Sequence, residues 1–215
     1  MSGGGGAVDA RRPRPGAALL ALAALLLAAA ALPARAFYKS EGTIRTAPGQ
    51  TREESNREYF TDLPVVTHEG EAGRFYGDFL KGRVVLVNFF YTTCPTADPD
   101  MARLARVREL LGDEFGKTVF LVSVSVDPET DTVEAVGRHA DKYPPGNGWV
   151  FLTGKPENLR WIGYKLGNPS PDPAQHVRVY LLGNLKTGRW MKMNQYAPPE
   201  SVAEGLRVLL AEGGE

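Results

Sequence analysis

The pattern of hydrophobic and polar positions predicts alternating strands and helices from about residue 63 to the C-terminus. Two continuous apolar segments, residues 82–91 and 118–126, are typical of strands that are buried on both faces. Residues 149–152 predict a third, shorter strand of the same kind. Residues 176–182 and 189–193 flank a turn rich in Gly and Asn, and they predict a β-hairpin.

Helices are predicted between these strands and after the last one. Apolar residues recur every three to four positions in four segments, which cover about residues 98–112, 130–143, 156–166 and 199–212. In the first of them, Asp98 is a favourable N-cap residue and Pro99 suits the first helical position. A small hairpin is also expected over residues 63–76, which alternate in polarity.

The order of these elements predicts an α/β fold. Strands that alternate with helices favour a mainly parallel central sheet with helices on both faces, and the late hairpin adds an antiparallel edge. This is a thioredoxin-like arrangement. Ligands of open α/β sheets bind outside the carboxyl ends of the strands. The first central strand ends just before Cys94, which makes that end of the sheet the expected functional site.

The first 36 residues have the pattern of a signal peptide or an N-terminal membrane anchor. Arg11, Arg12 and Arg14 precede a run made only of Gly, Ala and Leu over residues 16–32, and Ala34-Arg-Ala36 follows. Such a segment sends the following chain across a membrane. We therefore expect a periplasmic protein, free or anchored in the inner membrane, with the mitochondrial intermembrane space as the second choice. Residues 37–56 are predicted to be a spacer and residues 57–215 the folded domain.

Composition narrows the classes of function. The chain has 25 basic and 25 acidic residues, so its net charge is zero and neither general nucleic-acid binding nor wholesale disorder is indicated. Cys94 is the single cysteine, which excludes a disulfide framework within the chain and a zinc site built from several cysteines.

Four segments resemble the SCO/SenC family of copper chaperones, with the order and approximate spacing of that family. They are residues 80–82, 85–95, 123–132 and 149–154. The resemblance covers about 150 residues. It implies a thioredoxin fold, a membrane tether, and a role in assembling the copper centre of cytochrome c oxidase. The implied partners are the copper-bearing subunit of that oxidase or another copper-handling protein, and a chaperone is favoured over an enzyme.

The resemblance also implies a metal site. Members of the family bind copper through a Cys-Pro-x-x-Cys-Pro motif and a distant histidine, which match Cys94 and His176 in this chain. The second cysteine position is occupied by Asp98, still followed by Pro99. Two thiolates and an imidazole suit Cu(I), whereas a carboxylate makes the site harder and favours Cu(II) or zinc. We therefore take Cys94, Asp98 and His176 as candidate ligands of copper, in either oxidation state.

Each candidate ligand has a simpler interpretation. Asp98 could simply be the N-cap of its helix, Cys94 could be an inert buried thiol, and His176 could hydrogen-bond at the start of a strand. His68 and His139 are expected to be surface residues. The helix N-terminus should lower the pKa of Cys94 and the Asp98 carboxylate should raise it, and the sequence does not decide between the two.

Two other functions stay open at this point. A single-cysteine thiol oxidoreductase or peroxidase is consistent with the position of Cys94, although Tyr91 stands where a peroxidase would have a threonine. A binding protein that keeps the fold but has lost metal transfer is consistent with the missing second cysteine.

Overall fold

An eight-stranded mixed sheet forms the centre of the computed structural model, which describes residue 1 and residues 38–212. The strands are β1 (Tyr38–Thr43), β2 (Pro64–Thr67), β3 (Ala72–Arg74), β4 (Val84–Phe90), β5 (Val119–Ser125), β6 (Trp149–Thr153), β7 (Val179–Asn184) and β8 (Arg189–Asn194). Their spatial order is β1-β8-β7-β4-β5-β6-β2-β3.

The three central strands β4, β5 and β6 are parallel to one another, as the apolar segments predict. All the other pairings of the sheet are antiparallel, and they include the predicted hairpin of β7 and β8. The antiparallel part is larger than one edge hairpin because β2 and β3 add to the β6 side and β1 adds to β8. The predicted α/β fold with a thioredoxin-like arrangement is confirmed.

Helices cover both faces of the sheet. They are α1 (Arg52–Phe60), α2 (Ala97–Leu111), α3 (Val133–Ala140), α4 (Pro156–Lys165) and α5 (Pro199–Ala211), together with a π-helix (Phe75–Leu80) and short 3-10 turns (Gly112–Glu114, Gly146–Gly148 and Pro173–Gln175). The four predicted helices correspond to α2–α5. The first ends at Gly112, whose φ of 54° is one that glycine adopts at little cost.

Strand β4 shows how the sequence divides the core in two. All seven of its residues are buried. Val84, Leu86 and Phe90 pack with the apolar sides of α2, α3 and α5. Val85 and Phe89 point to the opposite face, where they pack with α4, the π-helix and the end of α1. Successive side chains of a strand face opposite sides, so a continuous apolar run is required when both sides carry helices.

The prediction that residues 37–56 form a spacer is wrong for most of that segment. Residues 38–43 are strand β1, paired with β8, and α1 begins at residue 52. The helix carries a capping box in which Thr51 and Glu54 satisfy each other's backbone amides. Buried Asn56 then fixes it to the sheet side by donating to the carbonyl of Leu185 at 2.7 Å. Capping and strand pairing stabilise this segment. It has no apolar repeat, and sequence patterns therefore do not detect it.

The predicted signal peptide or anchor over residues 1–36 lies outside the described residues, apart from Met1. In the part of the chain that the structure describes, no helix has the length and the apolar character to cross a bilayer.

Candidate functional site

Cys94 lies between the carboxyl end of β4 and the start of α2. The amide of Cys94 donates to the carbonyl of Tyr91 at 3.1 Å, and the amide of Ala97 donates to the carbonyl of Cys94 at 3.0 Å. Two consecutive tight turns therefore carry the chain from the strand into the helix. They hold Cys94, which is partly exposed and has a free thiol, at the predicted end of the sheet.

A buried carboxylate holds the beginning of this loop. Asp131 is fully buried and accepts hydrogen bonds from the amide of Thr92 at 3.0 Å and from its hydroxyl at 2.6 Å. Its second oxygen accepts from Ser125 at 2.6 Å. A buried charge needs such a full set of donors. Sequence reasoning did not single out Asp131, although its position shortly after a central strand, at the carboxyl end of the sheet, is a signal that could have found it.

The surroundings of the Cys94 sulfur stabilise its thiolate form. The Thr96 hydroxyl lies 3.3 Å from the sulfur. Burial raises the pKa of Cys94, but hydrogen bonds from the hydroxyl and the amide of Thr96 and from Tyr91, and the charge of Arg178, lower it more, so the net pKa lies below that of an ordinary thiol. The direction of this shift favours the thiolate in the competition that the sequence leaves open.

Thr96 connects Cys94 to two charged residues. Its hydroxyl accepts from Arg178 at 3.1 Å and lies 3.0 Å from the carboxylate of Asp100, which is buried. Arg178 lies 3.7 Å from the same carboxylate. A hydroxyl has one proton. The Thr96 hydroxyl can donate this proton to Asp100 while Cys94 is a thiol. When Cys94 is a thiolate, the hydroxyl can donate to the sulfur instead, and Arg178 then remains beside Asp100 as its positively charged partner.

His176 reaches the same region from the segment that leads into β7, the strand next to β4. It directly follows the 3-10 turn Pro173–Gln175, and two residues separate it from the start of β7, so the expectation that it opens a strand is wrong. Its side chain is 7% exposed, and its ring meets that of Tyr91 edge to face with a centroid distance of 5.9 Å.

The protonation of His176 suits a metal ligand. Burial lowers the pKa of His176 more than the hydrogen bond with Val177 raises it, and the charge of Arg178 lowers it further, so the neutral form of the ring is favoured. Its Nδ1 lies 3.2 Å from the carbonyl of Val177 and must donate to it, because a carbonyl can only accept. The lone pair is therefore on Nε2. A backbone carbonyl that orients the imidazole in this way is a common second partner of metal-binding histidines.

The structure thus places Cys94 and His176 around the same two neighbours, Tyr91 and Arg178. Because β4 and β7 are adjacent strands, the loop that follows β4 and the segment that leads into β7 meet at one rim of the sheet. We call Tyr91, Cys94, Thr96, His176 and Arg178 the thiol side of the site.

Asp98 faces a different neighbourhood. The N-cap of α2 is Thr96, without a capping hydrogen bond from its side chain, and Asp98 lies in the first turn of the helix, so the prediction that Asp98 is the cap is wrong. The Asp98 carboxylate binds the ammonium of Lys142 at 3.2 and 3.3 Å. The backbone carbonyl of Asp98 accepts from the hydroxyl of Tyr143 at 3.2 Å. Hydrogen bonds with Lys142 and Tyr143 lower the pKa of Asp98. We call these three residues the carboxylate side.

The structure does not bring the three predicted ligands together. Within residues 38–212 there is no group of three Cys, His, Asp or Glu side chains arranged to hold a metal ion. Cys94 and His176 share neighbours, whereas the Asp98 carboxylate forms an ion pair with Lys142, which lies just after α3.

The other two histidines do not join the site. His139 is 4% exposed, so its predicted surface position is wrong. It stacks on Phe90 with a centroid distance of 5.6 Å, and burial lowers its pKa. Flanking charged residues in a short helix misled the sequence pattern. His68 packs against Phe151 near β2.

Comparison with known proteins gives a consistent match. The SCO1/SenC family model matches residues 54–165. The mitochondrial SCO2 homologue of Bos taurus is 35% identical over 133 residues, which are 56% of this chain and 48% of that protein. The chain spans between 27% and 48% of the length of the first curated relatives that it matches.

Solved structures share the fold. ScoI of Arabidopsis thaliana with copper bound is 21% identical and has a TM-score of 0.57, over 70% of this chain and 96% of that one. BsSco, a member of the Sco family of cytochrome c oxidase assembly proteins, is 22% identical and has a TM-score of 0.59, over 71% of this chain and 93% of that one. At these identities the likeness shows a common fold.

Proposed function

The chain belongs to the SCO1/SenC family, and we propose that it is a metallochaperone that carries copper for the assembly of cytochrome c oxidase. In this proposal copper is the cargo and the thiol side is the place where it is held. The partner is the copper-bearing subunit of the oxidase or another copper-handling protein. Residues 1–36 export the domain or anchor it, so it works in the periplasm or, in a mitochondrion, in the intermembrane space.

One observation carries the proposal: Cys94 and His176 border the same rim of the sheet, where both contact Tyr91. A thiolate and an imidazole nitrogen are ligands that Cu(I) favours. Cys94 supplies the sulfur and Nε2 of His176 supplies the nitrogen. Hydrogen bonds from Thr96 and Tyr91 and the positive charge of Arg178 lower the pKa of Cys94 and favour its thiolate form, and metal binding requires deprotonated ligands.

Asp98 has a secondary role in this proposal. Its carboxylate would join Cys94 and His176 only after it leaves Lys142, and a carboxylate ligand is more suitable for Cu(II) than for Cu(I). We therefore assign Cu(I) to the thiol side alone and Cu(II) to all three candidates.

A second candidate is a binding protein that keeps the family fold but does not transfer metal. The contact between Asp98 and Lys142 favours it, because the position that corresponds to the family's second ligand is occupied in an ion pair. A thiol oxidoreductase is less well supported, since the described residues offer Cys94 no resolving cysteine.

Copper titration of the purified full-length chain distinguishes the candidates. We expect Cu(I) to bind with one-to-one stoichiometry in competition with a chromogenic chelator under anaerobic conditions. The Cys94→Ala/His176→Ala double variant should bind at least about 100-fold more weakly, because both soft ligands are lost. Wild-type binding no tighter than that of the double variant would reject metal delivery and favour the binding protein.

A further inference from the structure

A second concave site, separate from Cys94, lies at the β1 and β8 side of the sheet. The cavity has a volume of about 640 Å³ and is bordered by β1, α1, the end of α4 and β8. None of Cys94, Asp98 and His176 lines it. The segment that forms one wall, residues 40–47, belongs to the part of the chain that sequence patterns did not assign to any element.

The floor of the cavity is aromatic. Phe60 and Trp190 both line it, and their ring centroids are 4.8 Å apart. The Trp190 ring lies directly on Gly183, where an added Cβ would come within 2.4 Å of the ring carbons. A glycine at this position in β7 therefore makes the space that the indole occupies.

Trp190 also offers a hydrogen-bond donor without an acceptor. Its Nε1 is buried and has no hydrogen-bond partner among the described residues. The indole N–H can only donate, and leaving such a donor unpaired costs free energy. Trp149 provides the contrast, since its Nε1 donates to the hydroxyl of Ser123 at 2.9 Å. Because Trp190 also lines the cavity, a ligand oxygen that reaches its indole N–H would give Trp190 the acceptor that it lacks.

The charges around the cavity favour an anion. Arg45, Lys165 and Lys192 line it, and within residues 38–212 none of them forms a salt bridge with a carboxylate. Of the two acids in the lining, Glu41 is paired with Arg189 at 3.1 Å and Glu58 accepts from the side-chain amide of Gln50 at 3.1 Å. The positive charges are therefore in excess.

We propose that this cavity binds an amphipathic anion, a molecule with an aromatic or acyl body and one carboxylate, sulfonate or phosphate group. The body packs on Phe60 and Trp190, an oxygen of the acidic group accepts from the Trp190 indole, and the cations at the rim hold its charge. The proposal is independent of the proposed function, because it uses no residue of the thiol side and no metal.

The indole N–H resonance of Trp190 tests the proposal directly. The full-length chain, labelled with nitrogen-15, is titrated with naphthalene-2-sulfonate, with octanoate and with the cation 2-naphthylmethylammonium. Trp190→Phe assigns the resonance, and if that variant does not fold, Trp149→Phe and Trp161→Phe assign it by elimination. We expect a saturable shift of the Trp190 resonance with at least one of the two anions, whereas the cation leaves it in place.

The anions also distinguish the body of the ligand. A response to the sulfonate alone identifies an aromatic ligand, and a response to octanoate alone identifies an acyl ligand. Lys165→Ala/Lys192→Ala should weaken binding roughly tenfold, while the control Lys117→Ala/Lys155→Ala, with both lysines outside the cavity, leaves it unchanged. No shift with either anion up to about 10 mM, an equal shift with the cation, or equal affinity in the two double variants would overturn the proposal.

Discussion

Cys94 and Asp98 are four residues apart, yet their side chains have opposite surroundings. Cys94 lies partly buried among Tyr91, Thr96 and Arg178, on the rim that also holds His176. The Asp98 side chain is 60% exposed and pairs with Lys142. The thiol side combines groups from the segments next to two adjacent strands, β4 and β7, whereas the carboxylate side joins the start of α2 to the segment that follows α3.

In the proposed site, this difference is the effect of an aspartate at the position where the family resemblance implies a second cysteine. A cysteine side chain offers no carboxylate to a surface ammonium, whereas the aspartate at this position pairs with the ammonium of Lys142, which follows helix α3. In the proposed site, the sulfur and the imidazole lie at one rim of the sheet, and the third candidate ligand lies in a surface ion pair. We expect each side to respond to substitution independently.

Asp98→Cys should give the largest effect, because it restores a second soft ligand. We expect the affinity for Cu(I) to rise at least about 100-fold, since a second thiolate replaces a carboxylate that is held elsewhere. Competition with a chromogenic chelator measures the change. On oxidation, the variant should also form a disulfide between residues 94 and 98, detected by mass spectrometry as the loss of two hydrogens.

Asp98→Ser is the matched control for this variant. It removes the same ion pair with Lys142 but supplies no soft ligand. If Asp98→Cys binds Cu(I) no more tightly than Asp98→Ser, the two positions do not converge on one ion, and the comparison between the sides would reflect only a difference in exposure.

The sequence predicted the fold well because burial on both faces leaves a clear pattern. Strand β4 is fully buried on two sides and reads as an uninterrupted apolar run. The prediction for the N-terminal part of the domain failed for the opposite reason. Helix α1 holds only Phe60 as a large buried apolar residue, and its position depends on the Thr51 capping box and the Asn56 contact. A search for the capping pattern would have found its start.

The candidate site was predictable only in part. The end of a central strand identified the place of Cys94, and the family resemblance identified His176. The partners of these residues could not be read from the chain, because they come from distant segments. Arg178 meets Thr96 across 82 positions, and Lys142 meets Asp98 across 44. Such contacts are set by the packing of the whole sheet and its helices.

Thr96→Val should alter the thiol side alone. It removes the hydroxyl that lies 3.3 Å from the sulfur, so the pKa of Cys94 should rise toward that of an ordinary thiol. The pH profile of alkylation by iodoacetamide, read by mass spectrometry, measures the midpoint in the full-length chain. Thr93→Val is the control, because Thr93 is the exposed neighbour and its hydroxyl makes no hydrogen bond in the structure.

The same shift predicts how stability depends on pH. The pKa of Cys94 is lower in the folded chain, so ionisation of this group stabilises the fold. That contribution is complete above the pKa of the unfolded thiol, about 8.5, and it is lost as the pH falls through the folded pKa. If the midpoint of the alkylation profile in Thr96→Val stays in place or falls, the Thr96 hydroxyl serves Asp100 rather than the Cys94 thiolate.

Lys142→Met should have the smallest effect and acts on the carboxylate side. Losing one exposed ion pair should leave the urea midpoint of unfolding nearly unchanged. The Asp98 carboxylate is then free to turn toward the rim, and we expect the affinity for Cu(II) to rise about threefold to tenfold while that for Cu(I) stays the same. Lys142→Arg keeps the charge and serves as the control. Equal Cu(II) affinities in the two variants would mean that Asp98 remains outside the site even when nothing holds it, and copper would then be bound by the thiol side alone.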